Sequence, residues 1–243
     1  MTKKVAIITG AGRGIGKSIA KKLNKEGFFV ALVDKNKKEL NLIKKDFPSK
    51  SIFIPCDISK EKEVILMVNQ VIKKFKKIDV LINNAGISRY GWVDKLTSGD
   101  IDETLEVNLA GAIHCTREAV KQMKKQKSGQ IINICSIAAK HPQMFLSKSV
   151  YSASKAGLAV FGENILPELK RYNIKIANIF PALVATEGVK EREFWTKERL
   201  KYALSPEDIA YICWMIINQG KNSNISEVVV NNMYPGIFPE TGK

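Results

Sequence analysis

The chain has 243 residues, of which 45% are hydrophobic and 26% are charged, as in ordinary globular proteins. No linker-like tract or internal repeat divides it, so we predict a single domain over residues 1–243. The formal net charge of +15 could indicate a nucleic acid or an anionic membrane surface as a partner. The basic residues are mostly lysines scattered along predicted helices, without an arginine-rich arm or zinc-finger spacing, and we predict neither partner.

The cysteines and the N-terminal residues indicate the cellular compartment. The four cysteines are far apart and form no CxxC pair, so they predict neither a disulfide framework nor a metal site; they are Cys56, Cys115, Cys135 and Cys213. Strand-like residues begin by Val5, which leaves no room for a signal peptide, and no apolar run reaches membrane-spanning length. We expect a soluble, cytoplasmic protein with reduced thiols.

The first part of the chain has the pattern of a dinucleotide-binding unit. Val5–Ile8 is typical of a strand buried on both faces of a parallel sheet, and a glycine-rich turn, a helical pattern and a second strand ending at Asp34 follow. Glycines let the backbone approach a pyrophosphate, a helix N-terminus favours its charge, and an acidic side chain can bind a ribose. A glycine cluster alone could be an ordinary turn, but these neighbours favour a dinucleotide site. The spacing of Gly10, Gly14 and Gly16 is GxxxGxG rather than GxGxxG.

Strands and helices continue to alternate, which predicts a doubly wound α/β (Rossmann) fold with about seven parallel strands and helices on both faces. Further strands are predicted at Ser51–Pro55, Val80–Ile82, Gln130–Cys135, Ile174–Phe180 and Val228–Val230. Helices are predicted at Asn36–Asp46 and Lys60–Phe75, from Thr97, from Ser149 to about Arg171, and from Ser205. The charged and aromatic segment 187–204 is predicted to be an insertion that covers the site.

Polar residues follow several strands at their carboxyl ends, where open sheets bind ligands. Asn83–Gly86 follows the fourth strand and Ser136 ends the fifth, although Asn-Asn-Ala-Gly is also ordinary turn chemistry. Asn108 lies inside a predicted helix against its propensity, which suggests a local kink or a special role.

Tyr151 and Lys155 are four residues apart on a predicted helix, so their Cβ atoms should lie about 5–6 Å apart. The Lys155 cation could then lower the pKa of the Tyr151 phenol and make it a proton donor and acceptor. A lysine-rich chain can contain such a pair by chance. The pair therefore indicates catalysis only if other residues form a site around it.

Taken together, these residues resemble the short-chain dehydrogenase/reductase family over almost the whole chain. The resemblance implies hydride transfer between a nicotinamide cofactor and an alcohol/carbonyl pair, without a metal. It assigns catalysis to Asn108, Ser136, Tyr151 and Lys155. It assigns cofactor binding to Gly10, Arg13, Gly14, Ile15, Gly16, Asp34, Asp57, Ile58, Asn84, Ala85, Gly86, Tyr151, Lys155, Pro181, Val184 and Thr186.

The resemblance also gives each catalytic residue a role. Tyr151 exchanges the proton of the substrate oxygen, and Lys155 lowers the pKa of Tyr151 and binds the nicotinamide ribose. Ser136 donates to the substrate oxygen, and Asn108 holds a water that relays protons. Two departures are a Pro181-Ala182 pair where the family has Pro-Gly, and a longer spacing between Ser136 and Tyr151. We expect little effect from the alanine.

The cofactor, the substrate and the assembly are less determined by the sequence. Asp34 favours NAD because a carboxylate repels the extra phosphate of NADP, but Lys35 and Arg13 could bind that phosphate, so NADP stays open. We expect a small carbonyl or alcohol substrate and, by resemblance, a homodimer or homotetramer built on the helices that carry Asn108 and Tyr151. The alternatives are an NADP-dependent reductase of 3-oxoacyl thioesters and a non-catalytic dinucleotide-binding regulator. Candidate pocket residues, all of which could instead pack as hydrophobic residues, are Trp92, Gln143, Met144, Phe145, Phe194 and Trp195.

Overall fold

Seven parallel strands form the centre of the computed structural model, which describes residues 3–47, 51–190 and 200–233. Their order across the sheet is β3-β2-β1-β4-β5-β6-β7. The strands are β1 Val5–Thr9, β2 Phe29–Asp34, β3 Ser51–Pro55, β4 Val80–Asn83, β5 Gly129–Ile134, β6 Ile174–Pro181 and β7 Glu227–Val230. The predicted single-domain Rossmann fold with a seven-stranded parallel sheet is confirmed.

Helices cover both faces of this sheet. In the described ranges they are α1 Gly14–Lys25, α2 Lys37–Ile43, α3 Glu61–Phe75, α4 Ser98–Leu105, α5 Ala112–Gln126, α6 Ser149–Lys170, α7 Glu187–Lys190 and α8 Pro206–Ile217. One face of the sheet packs against α1, α2 and α8, and the other against α3 and α5. Because both faces are covered, central strands such as Val5–Thr9 are buried along their whole length, as their apolar sequence predicts.

The start of α8 is as predicted, with a reciprocal cap at its first turn. The Ser205 side chain accepts from the Asp208 N–H at 3.1 Å, and the Asp208 carboxylate accepts from the Ser205 N–H at 2.7 Å. Pro206 follows the cap as the first helical residue, where its missing N–H costs nothing.

The predicted long helix from Thr97 consists of three parts. Thr97 caps α4, a π-helical turn at Glu106–Gly111 follows, and α5 continues the same direction. The extra residue of a π-turn rotates the side chains that follow it, and such turns are frequent at functional sites. Asn108 lies in this turn and is completely buried, which gives a physical reason for an asparagine at a helix-interior position.

β1 pairs with β2 on one side and with β4 on the other, and β4 pairs in turn with β5. The direction in which successive strands are added to the sheet therefore reverses between β1 and β4. The carboxyl ends of the strands therefore diverge there and leave a crevice. A cleft of about 1200 Å³ lies along this edge of the sheet and is lined by the loops after β1, β2, β4, β5 and β6.

The predicted insertion 187–204 begins and ends beside this cleft. The Ala185 N–H donates to the Leu204 carbonyl at 2.8 Å, and the Leu204 N–H donates to the Leu183 carbonyl at 2.9 Å. Between these ends, only α7 and residues 200–204 belong to the described chain. Phe194 and Trp195 lie outside the described residues, so the covering role of the segment stays a prediction. No helix among the described residues is long and apolar enough to cross a membrane.

Candidate active site

The glycine-rich turn after β1 brings two backbones into contact. Gly10 and Gly14 have φ of 64° and 53°, which residues with a Cβ rarely adopt. A Cβ on Gly10 would lie 2.8 Å from the Ala85 Cα, and one on Gly16 would lie 2.2 Å from the Gly10 carbonyl oxygen. Glycine is therefore needed here for a close approach as well as for the turn.

Side chains from β1 and β4 hold this turn in place. The Thr9 hydroxyl accepts from the N–H groups of Asn84 and Ala85 at 3.0 and 3.1 Å and donates to the Ile82 carbonyl at 3.2 Å. In return, the Asn84 amide donates to the carbonyls of Thr9 and Gly10 at 2.9 and 3.1 Å. The ends of the two strands are thus joined into one rigid floor for the cleft.

The N-terminus of α1 binds an anionic group of the chain itself. The Glu187 carboxylate accepts from the N–H of Gly14, the first residue of α1, at 3.0 Å. Its neighbour Thr186 would lie 3.1 Å from a Cβ on Gly14. A helix N-terminus with a free N–H is a binding site for phosphate, and Glu187 shows that an anion fits this position. The residues present therefore fit a dinucleotide pyrophosphate.

The carboxylate of Asp34 lies at the end of β2 and is held by two backbone groups. Its oxygens accept from the N–H groups of Gly12 and Asn36 at 2.9 and 2.8 Å. A carboxylate has about four acceptor positions, so both oxygens can still accept from ribose hydroxyls. A Cβ on Gly12 would lie 2.9 Å from one of these oxygens, so the turn also leaves room for this side chain.

Asp57 and Lys35 form an ion pair at the same end of the cleft, with 3.1 Å between Nζ and Oδ2. Burial raises the pKa of the Asp57 carboxyl, but hydrogen bonds from Ser59 and the Lys35 ammonium outweigh it and lower the pKa overall. Lys35 is therefore already paired. Arg13, the other candidate for an NADP phosphate, lies against the backbone at Gly188.

Asn108 positions the loop after β4 from below. Its side-chain oxygen accepts from the Ile87 N–H at 2.8 Å, and its Nδ2 donates to the Ile87 carbonyl at 2.9 Å. The same Nδ2 donates to the Ser154 hydroxyl at 3.0 Å, and Ser154 donates to the Tyr151 carbonyl at 2.7 Å. Asn108 therefore links the cleft to the first turns of α6. Its expected role in holding a water stays a prediction.

Ser136, Tyr151 and Lys155 meet in the middle of the cleft. Ser136 ends the strand region of β5 and caps the following turn, with its hydroxyl accepting from the Ala138 N–H at 3.2 Å. Lys155 is 4% exposed, and its Nζ donates to the Ile134 carbonyl at 2.8 Å. A Cβ on Gly86 would lie 3.2 Å from this Nζ, so the lysine lies directly below the loop after β4.

The expectation that Lys155 lowers the pKa of Tyr151 is wrong for this arrangement. Burial raises the pKa of the Tyr151 phenol, and the neighbouring Ser136 hydroxyl acts in the opposite direction without reversing the shift. Burial also lowers the pKa of the Lys155 ammonium, which is turned towards the Ile134 carbonyl. Helical spacing placed the two residues on one face, but it did not include the free-energy cost of removing both groups from water.

The loop after β6 closes the cleft on the side opposite the β4 loop. Ala182 replaces the usual glycine, and it is not among the residues with positive φ, so its methyl group causes no backbone strain. The Ala182 N–H donates to the Val230 carbonyl at 2.8 Å, and the Leu183 N–H donates to the Asn232 side chain at 3.1 Å. Pro181, Val184 and Thr186 all line the cleft.

Known proteins match this chain over most of its length. A model of the short chain dehydrogenase family matches residues 4–197. The chain belongs to this family. An uncharacterized oxidoreductase of Staphylococcus aureus is 30% identical over 231 residues, which are 95% of this chain and 97% of that protein.

Solved structures of short-chain dehydrogenases are similar to this one over nearly their whole length. A metagenomic short-chain oxidoreductase in complex with NADP has a TM-score of 0.82 and 28% identity, covering 95% of this chain and 97% of that one. A 3-ketoacyl-(acyl-carrier-protein) reductase from Brucella melitensis complexed with NADH has a TM-score of 0.86 and 26% identity, covering 93% and 96%. This chain is an oxidoreductase of the short-chain dehydrogenase family.

In this short-chain dehydrogenase, the fold brings nearly all expected site residues to one cleft. All expected cofactor residues line it except Gly16, which lies beneath the turn, and Ser136 lines it as well. Phe145 is also in the lining, whereas Trp92, Gln143 and Met144 are not. Sequence reasoning missed Glu187 and four residues beside Tyr151, which are Ser88, Arg89, Tyr90 and Lys148. No pattern marked these four, because they come from irregular loops.

A row of buried asparagines, which we call the asparagine ladder, lies under the cleft; Asn83 belongs to the motif that the sequence indicated, whereas Asn133 and Asn178 were missed. Asn83 donates to Asn133, and Asn133 donates to Asn178, at 2.9 Å each, and Asn178 donates to the Ala159 carbonyl of α6 at 3.0 Å. These asparagines are register partners on β4, β5 and β6. A Cβ on Gly162 would lie 2.8 Å from the ladder, so α6 packs directly against it.

Proposed function

We propose that this short-chain dehydrogenase transfers a hydride reversibly between a nicotinamide cofactor and an alcohol/carbonyl pair. The observation that carries the proposal is the meeting of Ser136, Tyr151 and Lys155 in the cleft that also contains the glycine turn. Solved relatives with NADP or NADH bound support a nicotinamide cofactor. A regulator without catalysis would have no need to keep all three groups in contact with the cleft.

A bound nicotinamide ring would supply the hydride acceptor or donor. Tyr151 gives a proton to the substrate oxygen during reduction and takes it during oxidation. Burial raises the pKa of Tyr151 and favours the protonated phenol, the form that donates in reduction, whereas oxidation uses the deprotonated form. Ser136 donates a hydrogen bond to the substrate oxygen as charge develops there. Through their hydrogen bonds, Lys155 and Asn108 fix the positions of α6 and of the loop after β4 around this oxygen.

Replacing Tyr151 by phenylalanine tests this function. Loss of a general acid and base costs typically about 100- to 10,000-fold in rate, while cofactor binding should persist. Turnover is followed by nicotinamide absorbance on a panel of alcohols and ketones, and cofactor binding by fluorescence. Tyr211→Phe, on the exposed side of α8, is the matched control. Turnover by Tyr151→Phe close to that of the wild type would contradict the assignment.

We infer that NAD is the preferred cofactor. Asp34 stands where ribose hydroxyls would bind, and its carboxylate is fixed by two N–H groups. Lys35, the closest cation in sequence, is paired with Asp57 instead. The Michaelis constants for NAD and NADP should differ in favour of NAD, and Asp34→Ala should reduce or reverse this difference. Equal constants in the wild type would exclude this role of Asp34.

A second candidate is the reduction of 3-oxoacyl groups on a carrier protein. The similarity to the Brucella melitensis reductase and the net charge of +15, which would attract an acidic carrier, support it. An assay that compares a carrier-linked 3-oxoacyl substrate with a free ketone separates the two candidates.

Self-association also stays a proposal. The outer faces of α5 and α6, the helices next to Asn108 and Tyr151, form a groove lined by apolar and basic side chains that include Ile113, Val120, Phe161 and Ile165. Val160, which is on α6, is 61% exposed. An exposed apolar helix face of this kind supports a homodimer or homotetramer.

A further inference from the structure

The part of the cleft beside Tyr151 has its own lining, separate from the glycine turn. It is formed by the loop after β4, the loop before α6 and the loop after β6, through Ile87, Tyr90, Phe145, Lys148, Leu183 and Val189. Most of these side chains are apolar or aromatic. Lys148 is the exception, because it brings a positive charge to the place where a substrate would meet Tyr151.

Two aromatic rings hold the Lys148 ammonium. Its Nζ lies 4.9 Å from the centre of the Tyr90 ring and 5.2 Å from that of the Phe145 ring. Tyr90, Phe145 and Lys148 line the same cleft as Tyr151, and Lys148 is three residues before Tyr151 in the chain. Contacts with ring faces restrict the position of the cation without neutralising it. The Lys148 charge therefore has a restricted position and can still bind an anion.

The backbone brings these three side chains together. Ser147 has φ of 59°, a left-handed conformation that is uncommon for a residue with a Cβ. Its carbonyl accepts from the Gly91 N–H at 3.0 Å, which joins the loop of Lys148 to the loop of Tyr90. Lys148 itself immediately precedes α6, one helical turn before Tyr151.

Two other cations along the cleft have carboxylate partners. Arg89 pairs with Glu103, and Lys35 pairs with Asp57 at 3.1 Å. Lys155 donates to a backbone carbonyl. Within residues 3–47, 51–190 and 200–233, no carboxylate lies within ion-pair distance of Lys148. Among the described residues, the cleft-lining cations without a carboxylate partner are Arg13, Lys148 and Lys155, and Lys148 is the one that lies in the loop before α6.

Ser88 adds a polar group that requires a partner. Its residue lines the cleft beside Arg89, and its side-chain oxygen is buried without a hydrogen-bond partner in the described part of the chain. Buried hydroxyls are nearly always hydrogen-bonded in folded proteins. The described residues therefore leave one hydroxyl of the loop after β4 without a partner.

We propose that the substrate is a small hydroxy or oxo carboxylate whose carboxylate binds Lys148. This inference rests on the proposed function. In oxidation, the C–H bond of the carbinol carbon breaks and its hydride would pass to an oxidised nicotinamide cofactor, while the hydroxyl proton passes to the deprotonated phenol of Tyr151; reduction is the reverse, with the protonated phenol as donor. The carboxylate is unchanged, and its pairing with Lys148 selects the acid over neutral alcohols.

The first experiment measures kcat/KM for isomeric hydroxybutanoates and for their methyl esters. The wild type should prefer the acids. Lys148→Met keeps a stem of similar length but removes the charge, and should lower the acid-to-ester ratio by about 10- to 100-fold, as expected for one charge-assisted hydrogen bond. Lys148→Arg should keep most of the ratio. Lys125→Met, exposed near the C-terminus of α5 at the opposite edge of the sheet, makes the same charge change and should leave the ratio as it is.

The second experiment measures binding and does not depend on turnover. Ligand-observed NMR compares butanoate with the neutral butanamide, with and without NADH. Butanoate should bind more tightly, and Lys148→Met should abolish the difference. Equal binding of the two, no binding of butanoate, or a loss in Lys148→Met that affects acids and esters equally would overturn the carboxylate site. Failure to bind NADH would instead contradict the proposed function, and the comparison of butanoate with butanamide would still decide the inference.

Discussion

Replacing Glu187 by glutamine should tighten cofactor binding. Glu187 accepts from the Gly14 N–H at the N-terminus of α1, where the pyrophosphate of a dinucleotide would bind. The cofactor must therefore displace this carboxylate. Glutamine has nearly the same shape and can still accept the hydrogen bond, but it has no charge to favour the helix N-terminus or to repel a phosphate.

The size of the effect follows from the contact. A carboxylate at an exposed helix N-terminus contributes about 0.3–1 kcal/mol, and Glu187 is exposed, so the helix-dipole part lies at the lower end. A hydrogen bond to a charged acceptor is stronger than one to a neutral acceptor by roughly 1 kcal/mol. Together these contributions are about 1.3 kcal/mol, so removing the charge should lower the Kd for NADH by roughly eightfold, since about 1.4 kcal/mol corresponds to a factor of ten.

Calorimetric titration with NADH at low and high salt measures this effect. The gain in affinity should shrink at high salt, because exposed charges are screened. Glu207→Gln is the matched control, since Glu207 is an exposed carboxylate that accepts from the Ser18 hydroxyl at 2.8 Å outside the cleft. An unchanged or higher Kd in Glu187→Gln relative to this control would refute the competition between Glu187 and the pyrophosphate.

Three further predictions concern stability and assembly. Gly16→Ala would place a Cβ 2.2 Å from a backbone oxygen and should destabilise the fold by about 1–3 kcal/mol, whereas Gly99→Ala, with 3.8 Å of clearance, should not lower the melting temperature. The lowered pKa of Asp57 means that its charged form stabilises the fold at neutral pH, and that this contribution is lost as the pH falls below about 4 and through the folded-state pKa. Asp57→Asn should accordingly have a lower free energy of unfolding at neutral pH and a difference from the wild type that shrinks in acid; a constant difference in denaturant titrations would argue against this. Val160→Asp should convert an oligomer to monomers in light-scattering measurements, while Leu66→Asp, at a similarly exposed position on α3, should not.

The nucleotide half of the site could be predicted from the sequence because it depends on local patterns. A buried strand, a glycine turn, a helix and a second strand ending at Asp34 follow one another within one βαβ unit. Each part has a geometry that its residue types require, such as the positive φ of Gly10 and Gly14. A local kink or a special role at Asn108 was indicated by its low helix propensity, and the structure has a π-helical turn there.

The substrate half could not be predicted because it depends on contacts between distant loops. Tyr90 and Lys148 are far apart in the chain and meet only after the β4 loop and the loop before α6 have folded together. The pKa of Tyr151 was predicted in the wrong direction for a related reason, since spacing along a helix contains no information on burial. Glu187 was missed because its partner, Gly14, is 173 residues away in the chain.

The asparagine ladder determines how the strand ends are aligned. An amide can donate only from its nitrogen, and the Ala159 carbonyl can only accept, so this carbonyl fixes the orientation of Asn178. Asn178 then fixes Asn133, and Asn133 fixes Asn83, whose own oxygen has no partner in the described residues. Sliding one of the three strands past another would break this chain of donors and acceptors.

Asn83 ends β4, Asn133 is the next-to-last residue of β5, and Asn178 lies three residues before the end of β6, so the ladder lies just below the loops that form the site. The ladder therefore fixes how the ends of β4, β5 and β6 are aligned, and with them the points at which the following loops begin. A substitution in the ladder touches no ligand, yet it would misalign the loop on each side of the cleft. Activity should therefore depend on the three amide side chains of the ladder, although none of them contacts a reacting group.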